Sequence, residues 1–327
     1  MIPYSHESIR LTGRWDTTSP DAAVTTTTGA YLEFAFEGRM ALVLFDTLLN
    51  ATPLLHLWVQ LDGGDMIETP IDSHIRILAK NEGKHICRVI YKGGTEQDRR
   101  WYAPLTGKVS FRGVAVEKPL PIGEDPRKII EFVGDSITEG VLIDVDYLEG
   151  YPEPTYDDMK CRCRQDDACA TYAWLTAEAL NLRPIVMGYG AVGVTKSGCG
   201  RVPSAPEAYP QNFDGSPITH RPDVILINHG ANDGNKEPAL VAEKYTALLD
   251  VIRSLQPQAT LVVLSPFCGA HHETIGQTVA EYNQKNGTSV HFIDSFGWIP
   301  KHPLHPLRDG HSKVAEELIP RLAAILK

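Results

Sequence analysis

At 327 residues, with 43% hydrophobic and 22% charged side chains, the chain has a globular composition and the length of about two domains. Its 31 basic and 41 acidic residues give a formal charge of −10 with no basic block, which argues against nucleic acid or an anionic membrane as partner. No apolar run approaches transmembrane length, and residues 1–7 lack a basic segment followed by an apolar one, so no secretory signal is read and a cytoplasmic location is expected.

The first ~118 residues read as all-β, from short alternating runs punctuated by turn residues. Residues 31–37 alternate, Gly38-Arg39 is read as a turn, and residues 40–45 form the next strand. Another strand spans 54–61 and ends at Asp62-Gly63-Gly64-Asp65, a strong hairpin signal. Strands over 85–92 and 108–117 close the series, with Thr25 to Thr28 as a polar edge or loop. This spacing predicts a sandwich or jelly roll over residues 1–120. Trp58 and Trp101 are assigned to its core or edge. Residues 118–126, with three prolines, form the linker.

From residue 127 the pattern changes to strands alternating with helices. Strands are predicted over 129–133, 184–187, 224–228, 260–264 and 290–293, and helices over 171–180, 238–255, 279–286 and 312–326. Such alternation means a parallel sheet covered by helices on both faces, here over 127–327. The stretch Gly134-Asp135-Ser136 is the centre of this half. A buried strand breaks there at residues that favour bends and helix caps, which places the Ser136 hydroxyl at the carboxyl end of the sheet.

Gly134-Asp135-Ser136, then Gly193, then Gly230-Ala231-Asn232-Asp233, then His305-Pro306 resemble the four sequence blocks of the SGNH (GDSL-type) hydrolases, in the same order. Each block falls at a predicted strand end or in the terminal loop. An all-β domain ahead of such a domain further resembles carbohydrate esterase family 2. The resemblance implies a C-terminal α/β/α three-layer hydrolase with a flavodoxin-like parallel sheet. It also implies a serine esterase that removes short acyl groups, above all O-acetyl, from carbohydrate esters.

In that chemistry Ser136 attacks the ester carbonyl and His305 takes its proton. The oxyanion hole would comprise the Ser136 amide, the Gly193 amide and the Asn232 side chain, with Gly190 the alternative glycine. A glycine suits that place because its backbone must approach the substrate closely. Asp233 is assigned to holding its own loop. One block departs from the family, which usually has an aspartate three residues before the catalytic histidine; this chain has His302 there. A Ser-His dyad follows, with a backbone carbonyl of the His302-Pro303 segment orienting His305, and with Asp294 or Asp309 as the possible substitutes.

The insertion over residues 142–170 carries no amphipathic apolar helix of the kind a lipase lid needs, which favours acetyl over long acyl chains. The partner is then a small-molecule or oligosaccharide acyl ester, with no cofactor and no metal; oligomeric state is not read from the sequence. Two other readings are a lipolytic esterase acting on small esters or lysophospholipids, and a carbohydrate-binding protein with an inactive hydrolase domain. Cys161, Cys163 and Cys169 lack the spacing of a zinc site and are assigned as reduced, partly buried thiols. His271-His272-Glu273 and His220 are assigned to solvated loops, and His229 to the site or its surroundings. His311 is assigned to packing or capping of the last helix, and Trp298 is a candidate wall of the acyl or sugar site.

Overall fold

The computed structural model describes residues 1–145 and 162–327. Among the described residues, nine strands form one largely antiparallel N-terminal sheet. They are β1 (Ile2–Pro3), β2 (Ile9–Thr12), β3 (Ala23–Thr25), β4 (Tyr31–Phe45), β5 (His56–Leu61), β6 (Met66–Pro70), β7 (His74–Leu78), β8 (Lys84–Gly93) and β9 (Val109–Leu120). Strand β4 is the organiser, pairing antiparallel with β2, β7, β8 and β9. Its buried Phe34, Phe36, Ala41 and Val43 pack with Leu57, Val89 and Phe111 into a core of their own.

The turn expected at Gly38-Arg39 is not formed, because β4 runs straight through it. Gly38 adopts φ 131°, and the register against β9 shifts between Glu37 and Ala41; glycine absorbs the irregularity that another residue would turn into a bend. The Asp62-Gly63-Gly64-Asp65 hairpin does form, between β5 and β6. Strand β9 continues into the stretch assigned to the linker, with Pro119 opposite Phe36 and Leu120 opposite Ala35.

The C-terminal half is a parallel sheet flanked by helices. Its elements are β10 (Ile129–Gly134), α1 (Ser136–Glu139), α2 (Arg162–Gln165), α3 (Tyr172–Ala179), β11 (Arg183–Gly188), α4 (Ala205–Ala208), the hairpin β12 (Gln211–Phe213) and β13 (Ser216–Pro217), β14 (Val224–Asn228), α5 (Pro238–Leu255), β15 (Thr260–Leu264), α6 (His272–Asn286), β16 (His291–Ile293) and α7 (Arg308–Ile325). The parallel strands lie in the order β11-β10-β14-β15-β16. This doubly wound order puts β10 beside the switch point, where open α/β sheets form their crevice.

Side chains alternate along the strands, so one face carries Val133, Ile225, Ile227 and Val263 under α5 and α6. The other face carries Ile130, Phe132, Leu226 and Val262 under α3 and α7. Helix α6 begins seven residues earlier than the sequence predicts, so His272 and Glu273 form its first turn and are not loop. Among the described residues, no helix is long and apolar enough to cross a membrane.

The two halves meet through buried polar contacts that the sequence pattern does not announce. Glu131, the one charge in the β10 run, is fully enclosed, and its Oε1 lies 2.9 Å from Arg14 Nε of the N-terminal half and 2.8 Å from His220 Nε2. Tyr209 donates to its other oxygen at 3.0 Å. Burial alone would raise this carboxyl, but Arg14, His220 and Tyr209 hold it down at about 2. His220 is therefore part of this network and not of a solvated loop.

Thr25 to Thr28 are likewise buried at the junction, with Thr26 Oγ1 2.8 Å from Tyr189 Oη. Trp101 sits edge-on to Tyr189 within the core of the C-terminal half, and Trp58 Nε1 donates to Asp167 at 3.0 Å. Both tryptophans thus stand at the join between the sheets. Cys163 and Cys169 are buried free thiols, and burial pushes Cys163 up to about 11; Cys161 lies outside the described residues.

Candidate active site

Strand β10 sits between β11 and β14, so its end is flanked by a strand on each side. Gly134 closes it where a Cβ would strike the Thr138 side chain and stand 3.0 Å from Asn228 O. Asp135 then caps the next turn, accepting from Ile137 N at 3.0 Å. Helix α1 is a single turn, ended by Gly140 in the left-handed region at φ 93°. Ser136 opens that turn, nearly buried, at the carboxyl end of the sheet.

His305 approaches from the loop before α7, and its Nε2 lies 2.9 Å from Ser136 Oγ. That is hydrogen-bond distance between a nucleophile and its base. Half-buried, and facing the positive charge of Arg162, His305 is held down at about 4. It is therefore a neutral imidazole at pH 7, the form that accepts a proton. Asp294 is engaged elsewhere, accepting from Ser265 Oγ at 2.8 Å and Phe296 N at 3.0 Å. Asp309 accepts from its neighbour Gly310 N at 2.8 Å.

Asn232 stands in the turn after β14, its Nδ2 donating to Val192 O at 3.1 Å and to Asp135 Oδ2 at 3.2 Å. Asp135 is thus both the cap of the serine turn and the anchor of Asn232. Its enclosure raises its carboxyl to about 7, with Asp233 and Glu139 adding to the effect. Ser136, His305, Asn232, Ala191, Ala231 and Leu304 are among the residues lining a small cavity of about 50 Å³.

Gly193, expected at the oxyanion hole, lies in the loop after β11. Its N–H donates to Lys196 O at 3.1 Å, so the amide is engaged within its own loop. A Cβ on Gly193 would stand 2.5 Å from Asp233 Oδ1, so a close approach to a buried carboxylate demands glycine here. Gly190, the alternative, faces the Glu96 side chain, and its carbonyl accepts from Cys199 N at 2.8 Å. The residue of this loop that does line the cavity is Ala191, held at φ 59°. Nothing in the sequence signals it, because alanine is not a residue that favours the left-handed region.

Asp233, assigned to holding its own loop, instead holds the loop after β11, its side chain accepting from Val194 N and Thr195 N at 2.9 Å each. His229 is buried beside it and held down at about 4 by burial. His311 packs flat on Tyr172 and accepts from Tyr172 N at 3.1 Å, as the packing assignment requires. Trp298 lies under Arg321 of α7, with the guanidinium 4.9 Å from its ring, and it does not line the cavity. Among the described residues, no group of three or more His, Cys, Asp and Glu side chains is placed to hold a metal ion.

A doubly wound parallel sheet whose first strand, beside the switch point, ends on a serine bonded to a histidine is the framework of a serine hydrolase. Residues 132–313 match the GDSL-like Lipase/Acylhydrolase family. The chain belongs to that family and is a carboxylic ester hydrolase. It is 25% identical over 328 residues to an acetylxylan esterase / glucomannan deacetylase of Cellvibrio japonicus (strain Ueda107), covering 91% of this chain and 86% of that protein.

Two solved structures share the fold over nearly the whole chain. A family two carbohydrate esterase from Clostridium thermocellum, in complex with cellohexaose, superposes with TM-score 0.79 at 20% identity, covering 97% of this chain and 99% of that one. The acetyl xylan esterase Est2A from Butyrivibrio proteoclasticus gives TM-score 0.78 at 18% identity, covering 98% and 96%. Both likenesses include the antiparallel N-terminal region and the parallel sheet.

Proposed function

We propose that the chain is a serine esterase that removes short acyl groups, above all O-acetyl, from carbohydrate esters through an acyl-enzyme. The observation that carries the reading is the 2.9 Å contact between Ser136 Oγ and His305 Nε2 at the wall of a 50 Å³ cavity. Ser136 Oγ attacks the acyl carbonyl carbon as His305 takes its proton. The Ser136 amide and Asn232 Nδ2 stabilise the oxyanion, with Asn232 exchanging one of its present acceptors for it. The imidazolium returns the proton to the departing sugar hydroxyl, which leaves acyl-Ser136. A water molecule, deprotonated by His305, then releases the acid.

His305 works as half of a dyad in this reading, oriented by a carbonyl of the His302-Pro303 segment, because Asp294 and Asp309 are engaged elsewhere. A cavity of this size suits an acetyl group and opposes a fatty acyl chain. The carbohydrate assignment draws on the acetylxylan esterase relative and on the cellohexaose-bound fold neighbour. We place the domain boundary between residues 120 and 127, after β9, and read the N-terminal sheet as a jelly roll from the way β4 changes partners along its length.

The test is hydrolysis of p-nitrophenyl esters across acyl lengths, together with acetate release from acetylated xylan and glucomannan oligosaccharides. Wild type is expected to prefer acetyl to octanoyl esters and Ser136→Ala to lose turnover while staying folded. Near-normal turnover by Ser136→Ala would remove the assignment. Faster octanoyl than acetyl turnover would favour a lipolytic esterase.

A further inference from the structure

We propose that Arg100, supplied by the N-terminal β-region, is a positioning residue for Ser136, acting through Glu139 on the one-turn helix that carries both. The inference rests on the reading of Ser136 as nucleophile. Ser136 and Glu139 are the first and last residues of α1, which has only four residues. Its backbone closure amounts to three bonds: Glu139 N to Asp135 O at 2.9 Å, and Gly140 N and Val141 N to Ser136 O at 3.1 and 3.0 Å. A turn this short does not sustain itself, because nucleating a helix is unfavourable until further residues propagate it. Its direction must therefore come from outside.

The outside support comes from both halves: Ile137 packs into the core under α3 and Thr138 Oγ1 lies 2.9 Å from Tyr172 Oη, while Glu139, the last residue of the turn, is held from the N-terminal half. Both terminal nitrogens of Arg100 reach the Glu139 carboxylate, Nη1 to Oε1 and Nη2 to Oε2 at 3.3 Å. Thr28 Oγ1 donates to the Glu139 carbonyl at 2.9 Å. Arg100 is itself fixed: its N–H donates to Gly200 O at 3.2 Å, and its guanidinium lies 5.1 Å from the Tyr189 ring centre. Arg100 and Glu139 are each only 1% exposed.

A buried ion pair adds little stability compared with well-packed apolar side chains. What it adds here is orientation, since a planar fork gripping both carboxylate oxygens fixes the angle of Glu139 about the turn. Rotating or sliding that turn moves Ser136 Oγ relative to His305. A misplacement of about 1 Å at a nucleophile costs on the order of 100-fold in rate.

The experiment replaces both charges at once in the full chain, Arg100→Met with Glu139→Leu, so that neither is left buried and unpaired. The expected result is a urea midpoint close to wild type and a kcat for p-nitrophenyl acetate roughly 100-fold lower, with KM within about twofold. A purely structural role predicts that kcat recovers along with the midpoint, so wild-type kcat in the folded double variant overturns the proposal.

Arg100→Lys keeps the charge but cannot grip both oxygens, and it covers the case in which the double variant does not fold. It is expected to lose about tenfold in kcat and, in proportion, in the rate at which a fluorophosphonate labels Ser136. Unchanged kcat and labelling in folded Arg100→Lys would equally overturn the proposal. Ser136→Ala is run alongside. If it retains turnover, the nucleophile assignment falls; if it is dead while the arginine variants are normal, only the positioning role falls.

Discussion

Gly193→Ala tests why glycine is required in the loop after β11. The new Cβ would stand 2.5 Å from Asp233 Oδ1, 2.7 Å from Oδ2 and 2.8 Å from Cγ, where ordinary contact needs about 1 Å more. Asp233 cannot recede freely, because it is fully buried and accepts from Val194 N, Thr195 N and, at 2.5 Å, Thr195 Oγ1. Overpacking costs about 1–3 kcal/mol and a lost bond to a buried carboxylate a similar amount, so destabilisation of about 3 kcal/mol is expected. Urea denaturation at constant m-value reads it. Removing the obstacle with Asp233→Ala should let Gly193→Ala cost less than about 1 kcal/mol in that background, a coupling of about 2 kcal/mol. Alanine keeps the amide N–H, so a glycine needed only as an oxyanion donor would tolerate the change. A wild-type midpoint in Gly193→Ala, or a full cost that persists without the Asp233 carboxylate, would refute the steric argument.

Asn232→Ala is expected to lower kcat by about 10²–10³ with little change in KM; a raised KM at constant kcat would make Asn232 a contact to bound substrate instead. Because His305 must be neutral to accept a proton and is held down at about 4, kcat/KM should rise with pH through about 4 and be level by pH 6; an acid limb centred at 6.5 would contradict this. Stability should behave differently between pH 7 and 8. His229, His305 and His311 are depressed in the fold and largely neutral in both states above about 7, whereas Asp135 and Asp166, raised to about 7 and about 8, still hold protons that the unfolded chain has released. The folded state then binds more protons, so their contribution is lost as pH rises through that window, and the thermal midpoint at pH 8 should lie below that at pH 7. Asp294→Ala and Asp309→Ala should each keep most of the activity; a folded variant that falls a thousandfold or more would replace the dyad with a displaced triad.

How much was legible in the sequence depended on whether a residue's role is carried by pattern or by neighbours. Strands β14 and β15 and helix α5 fall at the residues their periodicity predicts, because buried parallel strands and an amphipathic helix write their burial directly into composition. The pairing of Ser136 with His305 followed from ordered motifs at strand ends. Glu131 was the opposite case: a lone charge in an apolar strand gives no hint that Arg14, more than a hundred positions earlier, enters to meet it. The contact of Gly193 with Asp233 was not legible, since a sequence shows that glycine is present and not what presses against it. Ala191, Arg100 and the tryptophans at the junction depend on how the two halves dock, which local pattern does not encode. The lid-free reading of residues 142–170 rests in part on residues outside those described.

The enclosure of Glu131 has a consequence for biosynthesis. Arg14 leaves the ribosome long before the strand that needs it, so the cation is already available when β10 emerges and must bury its carboxylate. A C-terminal fragment expressed from the linker onward would lack that cation. It would leave the buried Glu131 carboxylate with only His220 and Tyr209 beside it, and losing the arginine from such a network costs roughly 3 kcal/mol or more, a large part of the whole margin of many domains. Such a fragment is expected to be recovered largely as aggregate when made alone and to become soluble when the first 120 residues are supplied beside it in the same cell. Vectorial synthesis thus lets the β-region act as an internal template for the sheet that follows it.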